Sequence, residues 1–168
     1  MGRKRMHGLA MAAIVGGALS AAAIVPAAAT AKATAEKTSC KKLSGAAKRA
    51  CAKQNQANRT VLAQLRDSRL VGVRGDGAEV DWLLCASGRY ESAVTSSGST
   101  GRSGGSSWRV TAATVKRKGA WFEADVEDPK RGWTVSVGRH GAQWLSAVSF
   151  GTRKWGEVTR TDAKADCA

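Results

Sequence analysis

Apolar and polar residues alternate through most of the second half of this chain. Residues 106–160 break at their turns into SSWRVTAATVKRKG, AWFEADVEDPKRG, WTVSVGRHGA, QWLSAVSFGTRK and WGEVTR. Each run carries a tryptophan near its start (Trp108, Trp121, Trp133, Trp144, Trp155), and the first four close on a basic turn containing glycine. Such alternation between turns predicts strands joined as hairpins. Upstream, residues 69–73 read as a strand, Gly75-Asp76-Gly77 as a hairpin turn, and residues 79–86 and 89–94 as the next two strands. Arg74-Gly75-Asp76 spells a tripeptide found in cell-adhesion ligands, and the turn accounts for it fully.

A period of two also assigns faces. Val80, Trp82 and Leu84 share one, Trp133, Val135 and Val137 another, and Trp144, Val148 and Phe150 a third. Trp82, Trp133 and Trp144 are therefore expected in the core. Residues 121–127 differ. Their apolar face is Phe122, Ala124 and Val126, which leaves Trp121 on the wet face beside Glu123, Asp125 and Glu127.

Before the strands the period changes. Cys40, Leu43, Ala47, Cys51, Val61, Leu62 and Leu65 recur at steps of three and four, which predicts a helical region over 39–68. Lys41, Lys42, Lys48, Arg49 and Lys53 fill much of the remaining circumference as a solvated basic face. Gly45 and the polar stretch Gln54-Asn55-Gln56 interrupt the pattern, so one helix or a kinked pair both fit. Asn58-Arg59-Thr60 matches a glycosylation acceptor, but inside a helix it reads as coincidence. Residues 95–107 hold Ser, Gly and Thr with one Arg, have nothing to bury, and predict a flexible loop. The fold expected is α+β: an N-terminal helix or helix pair on a twisted antiparallel meander of about seven or eight strands (helical 39–68, sheet 69–160). A small barrel or a sandwich with an N-terminal helix is the alternative.

The N-terminus changes the picture of compartment. Arg3, Lys4 and Arg5 precede an uncharged apolar run over 9–25, and small residues then offer cleavage after Ala29, Ala31 or Ala33. That is the layout of a secretory signal peptide over residues 1–33, leaving 34–168 as one exported domain without an integral membrane segment. In an oxidising compartment Cys40, Cys51, Cys85 and Cys167 predict two disulfides, with three pairings open. The spacing lacks C-x-x-C, and His140 is the only histidine after the signal, so neither a metal site nor a cofactor is expected.

Charge adds a partner class. The full chain carries a net +14; four basic residues (Arg3, Lys4, Arg5, Lys32) and no acid precede residue 34, so the exported part carries +10. Such a surface favours anionic partners, which for an exported protein are cell-wall polyanions, anionic lipid surfaces, acidic proteins or extracellular nucleic acid; a cell-wall polymer or another extracellular protein is the partner expected. In an up-and-down meander alternate turns share an end. Lys116, Arg117 and Lys118 would then join Arg139 and His140 on one rim, with Arg74, Arg102, Lys130, Arg131, Arg153 and Lys154 on the other. No nucleic-acid-reading motif accompanies these residues, so specific nucleic-acid binding is not expected. The sequence also lacks G-x-S-x-G, H-E-x-x-H and phosphate-loop patterns. The one catalytic arrangement it offers is Glu123 with Asp125, whose carboxyls would stand roughly 6–7 Å apart along a strand, as a carbohydrate hydrolase could use. The function expected is that of a non-catalytic secreted binder of an anionic partner, or an inhibitor of another exported protein, acting through Trp121, Glu123, Asp125, Glu127, Lys116, Arg117, Lys118 and Arg139. A small carboxylate hydrolase and a structural envelope component are the alternatives.

Overall fold

The computed structural model describes residues 32–168. The expected signal segment lies outside the described residues except for its last two positions. The elements are β1 (Thr34–Ala35), α1 (Gly45–Leu65), β2 (Ser68–Val73), β3 (Glu79–Leu84), β4 (Tyr90–Ser96), β5 (Ser99–Gly105), β6 (Arg109–Lys116), β7 (Trp121–Asp128), β8 (Trp133–His140), β9 (Gln143–Ala147) and β10 (Gly156–Asp162). All ten strands join one sheet in the order β1-β6-β7-β8-β9-β10-β2-β3-β4-β5. Every neighbour is antiparallel except β1, which lies parallel to β6.

This is α+β, with more strands than the seven or eight expected and a different path. Two meanders, β2 to β5 and β6 to β10, are stitched by β10 lying against β2, where Val158 faces Gly72 and Asp162 faces Ser68. β5 and β6 stand almost at opposite ends of the strand order, yet only residues 106–108 separate them in the chain. The sheet must therefore coil until its ends come close, as the right-handed twist of successive strands allows. Gly105 marks the place: a Cβ there would lie 2.5 Å from the Tyr90 ring and 2.7 Å from an Asp128 carboxyl oxygen. The two ends do not pair, so the sheet stays open and is not a closed barrel.

Coiling brings distant strands face to face inside. Trp133 of β8 stacks on Tyr90 of β4 at 4.5 Å and meets Trp82 of β3 edge-on at 6.4 Å. Trp82, Tyr90, Trp108, Phe122, Leu70, Leu84, Val110 and Val126 are fully buried with Val61 and Leu65 of α1. Trp108, just before β6, is held by its indole N–H donating to the Cys85 carbonyl at 2.9 Å.

The helix is single, begins at Gly45 rather than residue 39, and docks by its C-terminal half: only Asn55, Asn58, Val61 and Leu65 are buried. The residues that broke its apolar pattern are contacts. The register of β6 and β7 shifts between Thr111 and Thr114, with Ala112 in the left-handed region at φ 49°. This bulge frees the backbone of Ala113 from the ladder. Asn58 Oδ1 accepts from the Ala113 N–H at 3.0 Å, and Gln54 Nε2 donates to the Ala113 carbonyl at 2.8 Å. Asn58 also donates to the Glu36 carbonyl at 3.0 Å, while Asn55 exchanges two 2.9 Å bonds with the backbone of Thr38. Asn58→Leu would leave the Ala113 N–H and the Glu36 carbonyl without partners. A loss of about 2–4 kcal/mol is expected from urea unfolding, and a loss under about 1 kcal/mol would show that the clamp contributes only packing.

Several expectations need correction. Residues 95–107 are not a loose loop: they complete β4, turn at Ser97-Gly98 and return as β5. Trp155 does not open a strand, and Val148 and Phe150 do not share a strand face with Trp144. β9 ends at Ala147, residues 148–155 form a connection, and Phe150 is 76% exposed at its surface. Trp82 is fully buried, whereas Trp133 and Trp144 are partly so. Trp121 keeps to the outer face of β7, as the alternation predicts, but is half-buried there rather than substantially exposed.

Both disulfides form, as Cys40–Cys51 and Cys85–Cys167. The second ties the end of β3 to the C-terminal segment, beside Leu83 and Ala163. No bridge joins sheet to helix. Among the described residues, no helix is long and apolar enough to cross a membrane. In the β2–β3 turn, Arg74 bonds both Asp76 oxygens at 2.8 and 2.7 Å, and Asp76 also caps the Ala78 N–H. The guanidinium holds the Asp76 carboxyl below its ordinary value. A depressed carboxyl contributes stability above its unfolded pKa, about 4, and loses it as pH falls through the folded value. Asp76→Asn should therefore lower stability modestly at neutral pH and flatten the acid limb below about pH 4, so that the urea midpoints of variant and parent converge at acid pH. An unchanged acid limb would remove this turn from the protein's acid response.

Candidate functional site

β7 is the strand that positions the candidate residues. Its burial alternates along its whole length, with Phe122, Ala124 and Val126 inside and Trp121, Glu123, Asp125 and Glu127 half-buried on the outer face. The half-burial comes from cross-strand neighbours and from the 148–155 connection, which folds back over the sheet. Trp155 rests on β8: a Cβ on Gly138 would stand 3.2 Å from its ring, so only glycine admits the indole so close.

Every carboxylate of this row has a basic partner. Arg109, opposite on β6, donates through Nε to Glu127 at 2.7 Å. Arg153 reaches back from the connection and places Nη2 2.9 Å from both Asp125 oxygens. Asp125 also accepts from the Ser136 hydroxyl at 2.6 Å. Glu123 lies 3.2 Å from His140 Nε2 and 4.0 Å from Arg153 Nη1. Glu123 and Asp125 are thus clamped together by one guanidinium.

At the end of β7 the row becomes aromatic. Lys116, Trp121 and His140 are register partners on β6, β7 and β8. The Lys116 ammonium sits 4.5 Å above the Trp121 ring, and His140 stacks on the same indole at 4.9 Å, nearly parallel. Since the two neighbours come from strands on opposite sides of β7, both faces of the indole are occupied, and a sugar ring could stack there only by displacing one. Trp155 continues the row 6.2 Å beyond His140.

The basic turn lies at the same end. Arg117 and Lys118 both adopt left-handed backbone, φ 48° and 54°, in a tight turn closed by Gly119. Gly141 donates to the Ala120 carbonyl at 2.8 Å, so this turn touches the β8–β9 turn. Lys116, Arg117 and Lys118 are exposed and form no ion pair among the described residues.

Arg139 lies at the same end but on the other face of the sheet, joined to the turn through Gln64, which donates to the Gly119 carbonyl at 3.1 Å. It faces Phe122 and Trp144 in the register, donates to the Gln64 side chain at 3.1 Å, and stands 5.4 Å from the Trp144 ring. Arg160 stands 5.5 Å from the same ring and donates to the Gln64 backbone carbonyl in the last turn of α1. These two cations close the end of the helix, where free carbonyls favour positive charge. The second expected rim is also dispersed: Arg74 and Arg153 are bonded to Asp76 and Asp125, and Arg102 lies mid-strand in β5.

The sequence singled out the β7 row and its neighbouring turn. It missed that Arg153, Trp155, His140 and Ser136 build the same site. The Arg153-Lys154-Trp155 cluster was the available signal, since a guanidinium and an indole that close in sequence can form a cation–π pair, and here they stand 6.0 Å apart. Among the described residues, no group of His, Cys, Asp and Glu is arranged to hold a metal ion. Comparison with protein-family models, curated proteins and solved structures finds no match to this chain.

Proposed function

We propose that this is an exported, non-catalytic binding protein that meets an anionic partner, a cell-wall polymer or another extracellular protein, with the end of the sheet formed by Lys116, Arg117 and Lys118 beside Trp121. The observation that supports the reading is the distribution of charge pairing. The three outward acids of β7, Glu123, Asp125 and Glu127, are matched by His140, Arg153 and Arg109, whereas three consecutive cations next to them have no acidic partner among the described residues. A concentrated, uncompensated positive turn attracts anions more strongly than the same charge spread over a surface. The hydrolase alternative is less favoured by this geometry. Glu123 and Asp125 share one guanidinium, and a carboxylate held so would first have to be released to take or give a proton.

The test is retention on an anionic cell-wall fraction at several salt concentrations. Lys116→Gln, Arg117→Asn and Lys118→Asn together are compared with Lys41→Gln, Lys42→Asn and Lys48→Asn, which remove the same charge from the exposed N-terminal segment and helix start. Asn suits the left-handed positions. The first triple variant should lose more affinity and show a shallower dependence of log affinity on log salt. Equal losses would reduce the basic surface to general solubility and sink the proposal.

A further inference from the structure

We infer that the outer edge of β5 is a docking strand that accepts an extended, acidic segment of another protein as an additional strand of the sheet. β5 ends the strand order, and among the described residues β4 is its only hydrogen-bonded neighbour. Its sequence, Ser99–Gly105, is STGRSGG, and residues 99–103 are exposed. An unpaired edge is normally protected by lysine, proline, a bulge or a covering element, because it otherwise recruits another strand. β5 has no lysine or proline, and its pairing with β4 runs through seven residue pairs without a register shift.

The turn fixes which backbone groups are offered. Ser97 and Gly98 both have positive φ, 50° and 78°, in a two-residue hairpin loop flanked by the Ser96–Ser99 pair. In such a hairpin the flanking pair is hydrogen-bonded and pairs then alternate. Ser99, Gly101, Ser103 and Gly105 therefore bond to β4, while Thr100, Arg102 and Gly104 direct N–H and C=O outward. The Thr95 and Thr100 hydroxyls meet at 2.8 Å, as expected for a pair whose side chains approach most closely. The outward groups have no backbone or side-chain partner among the described residues.

Charge selects the occupant. Arg102 lies in the middle of the edge and forms no ion pair among the described residues; the acids that line the same depression are engaged, Asp81 and Asp166 with Arg69, and Glu91 with Arg89. A strand with a carboxylate opposite Arg102 would match it. A second copy fits less well, since both copies carry the same positive charge and two-fold pairing about Arg102 would set like charges opposite. Strand addition draws affinity from main-chain bonds and specificity from such side chains. This surface is separate from the Lys116–Lys118 turn and does not depend on it.

A short peptide of alternating threonine and glutamate is the probe, with its threonine–glutamine counterpart as control. Amide hydrogen exchange of the intact protein is followed by NMR. Without peptide, the Thr100, Arg102 and Gly104 amides should exchange fast while Gly101 and Ser103 are protected. The acidic peptide should protect the first three, and the neutral one should bind more weakly. Arg102→Gln should lower affinity about two- to fivefold. Thr100→Pro removes one outward donor and keeps Arg102; it should lower affinity about two- to tenfold, with the β4 ladder still protected. The Lys116, Arg117 and Lys118 variant should bind the peptide normally, which keeps this result independent of the anionic-matrix test. No added protection at Thr100, Arg102 and Gly104 with peptide would overturn the inference. So would protection that rises with protein concentration before peptide is added, because the strand would then be taken by a second copy.

Discussion

Replacing Cys85 and Cys167 together by Ala should cost this protein far more than replacing Cys40 and Cys51. The bridges close chain segments of very different length, with sequence separations of 82 and 11. Chain-entropy arguments give ~4.5 kcal/mol for the longer loop and ~3 kcal/mol for the shorter. Native surroundings widen the gap. Cys85 is fully buried, and its carbonyl anchors the Trp108 indole. With Cys167 and Ala163 it secures the C-terminal segment that follows β10, and β10 is the strand that stitches the two meanders together. Cys40 and Cys51, by contrast, close a segment against the half of α1 that buries nothing in the sheet. Losing that bridge should free the segment locally while the core unfolds as before. Urea unfolding followed by tryptophan fluorescence reads the core; equal shifts for the two double variants would contradict this division.

Trp82→Ala should be nearly as severe, at about 3–5 kcal/mol. Its ring is fully buried and meets Trp133 across the inside of the coiled sheet, so truncation leaves a cavity bounded by β3 and β8, which cannot close without uncoiling the sheet. Its indole N–H has no hydrogen-bond partner among the described residues, so the residue contributes through packing area. Trp82→Phe should accordingly retain most of the stability. Trp121→Ala should cost about 1 kcal/mol or less, the scale of an exposed cation–π contact, since its neighbours are Lys116 and His140 at the surface. The comparison of the three midpoints is decisive: a Trp121 loss as large as that of Trp82 would mean that the outer row belongs to the core.

These two residues also show what the sequence made legible. Strict alternation in β7 put Phe122, Ala124 and Val126 inside and Trp121 with the carboxylates outside, because each apolar position was buried by the same sheet face. β5 was invisible for the opposite reason. STGRSGG has no apolar position to mark a face, and its strand state comes from pairing with β4 through the Ser97-Gly98 turn. Helix α1 misled in a third way. Gln54, Asn55 and Asn58 point inward to satisfy backbone groups of Ala113, Glu36 and Thr38, so polar residues occupy the contact face and read as a break. At the site, Glu123 and Asp125 could be found locally, but Arg153 could not. It reaches them 28 residues beyond Asp125 from a connection whose course no periodicity records.

The clamp at Asn58 has a consequence for making the protein. Asn58 is 1% exposed, with its side-chain amide divided among Ala113, Gln54 and Glu36. It is also the asparagine of Asn58-Arg59-Thr60. In a eukaryotic secretory host an oligosaccharide would be attached to the nascent chain before α1 docks, at an amide nitrogen that must later enter the interior. Yeast or mammalian secretion should then yield retained or misfolded material, and Thr60→Ala should rescue it, since Thr60 bonds only to its own helix through the Gln56 carbonyl. A bacterial periplasm, which forms disulfides without adding that sugar, is the route that leaves Asn58 free for its three partners.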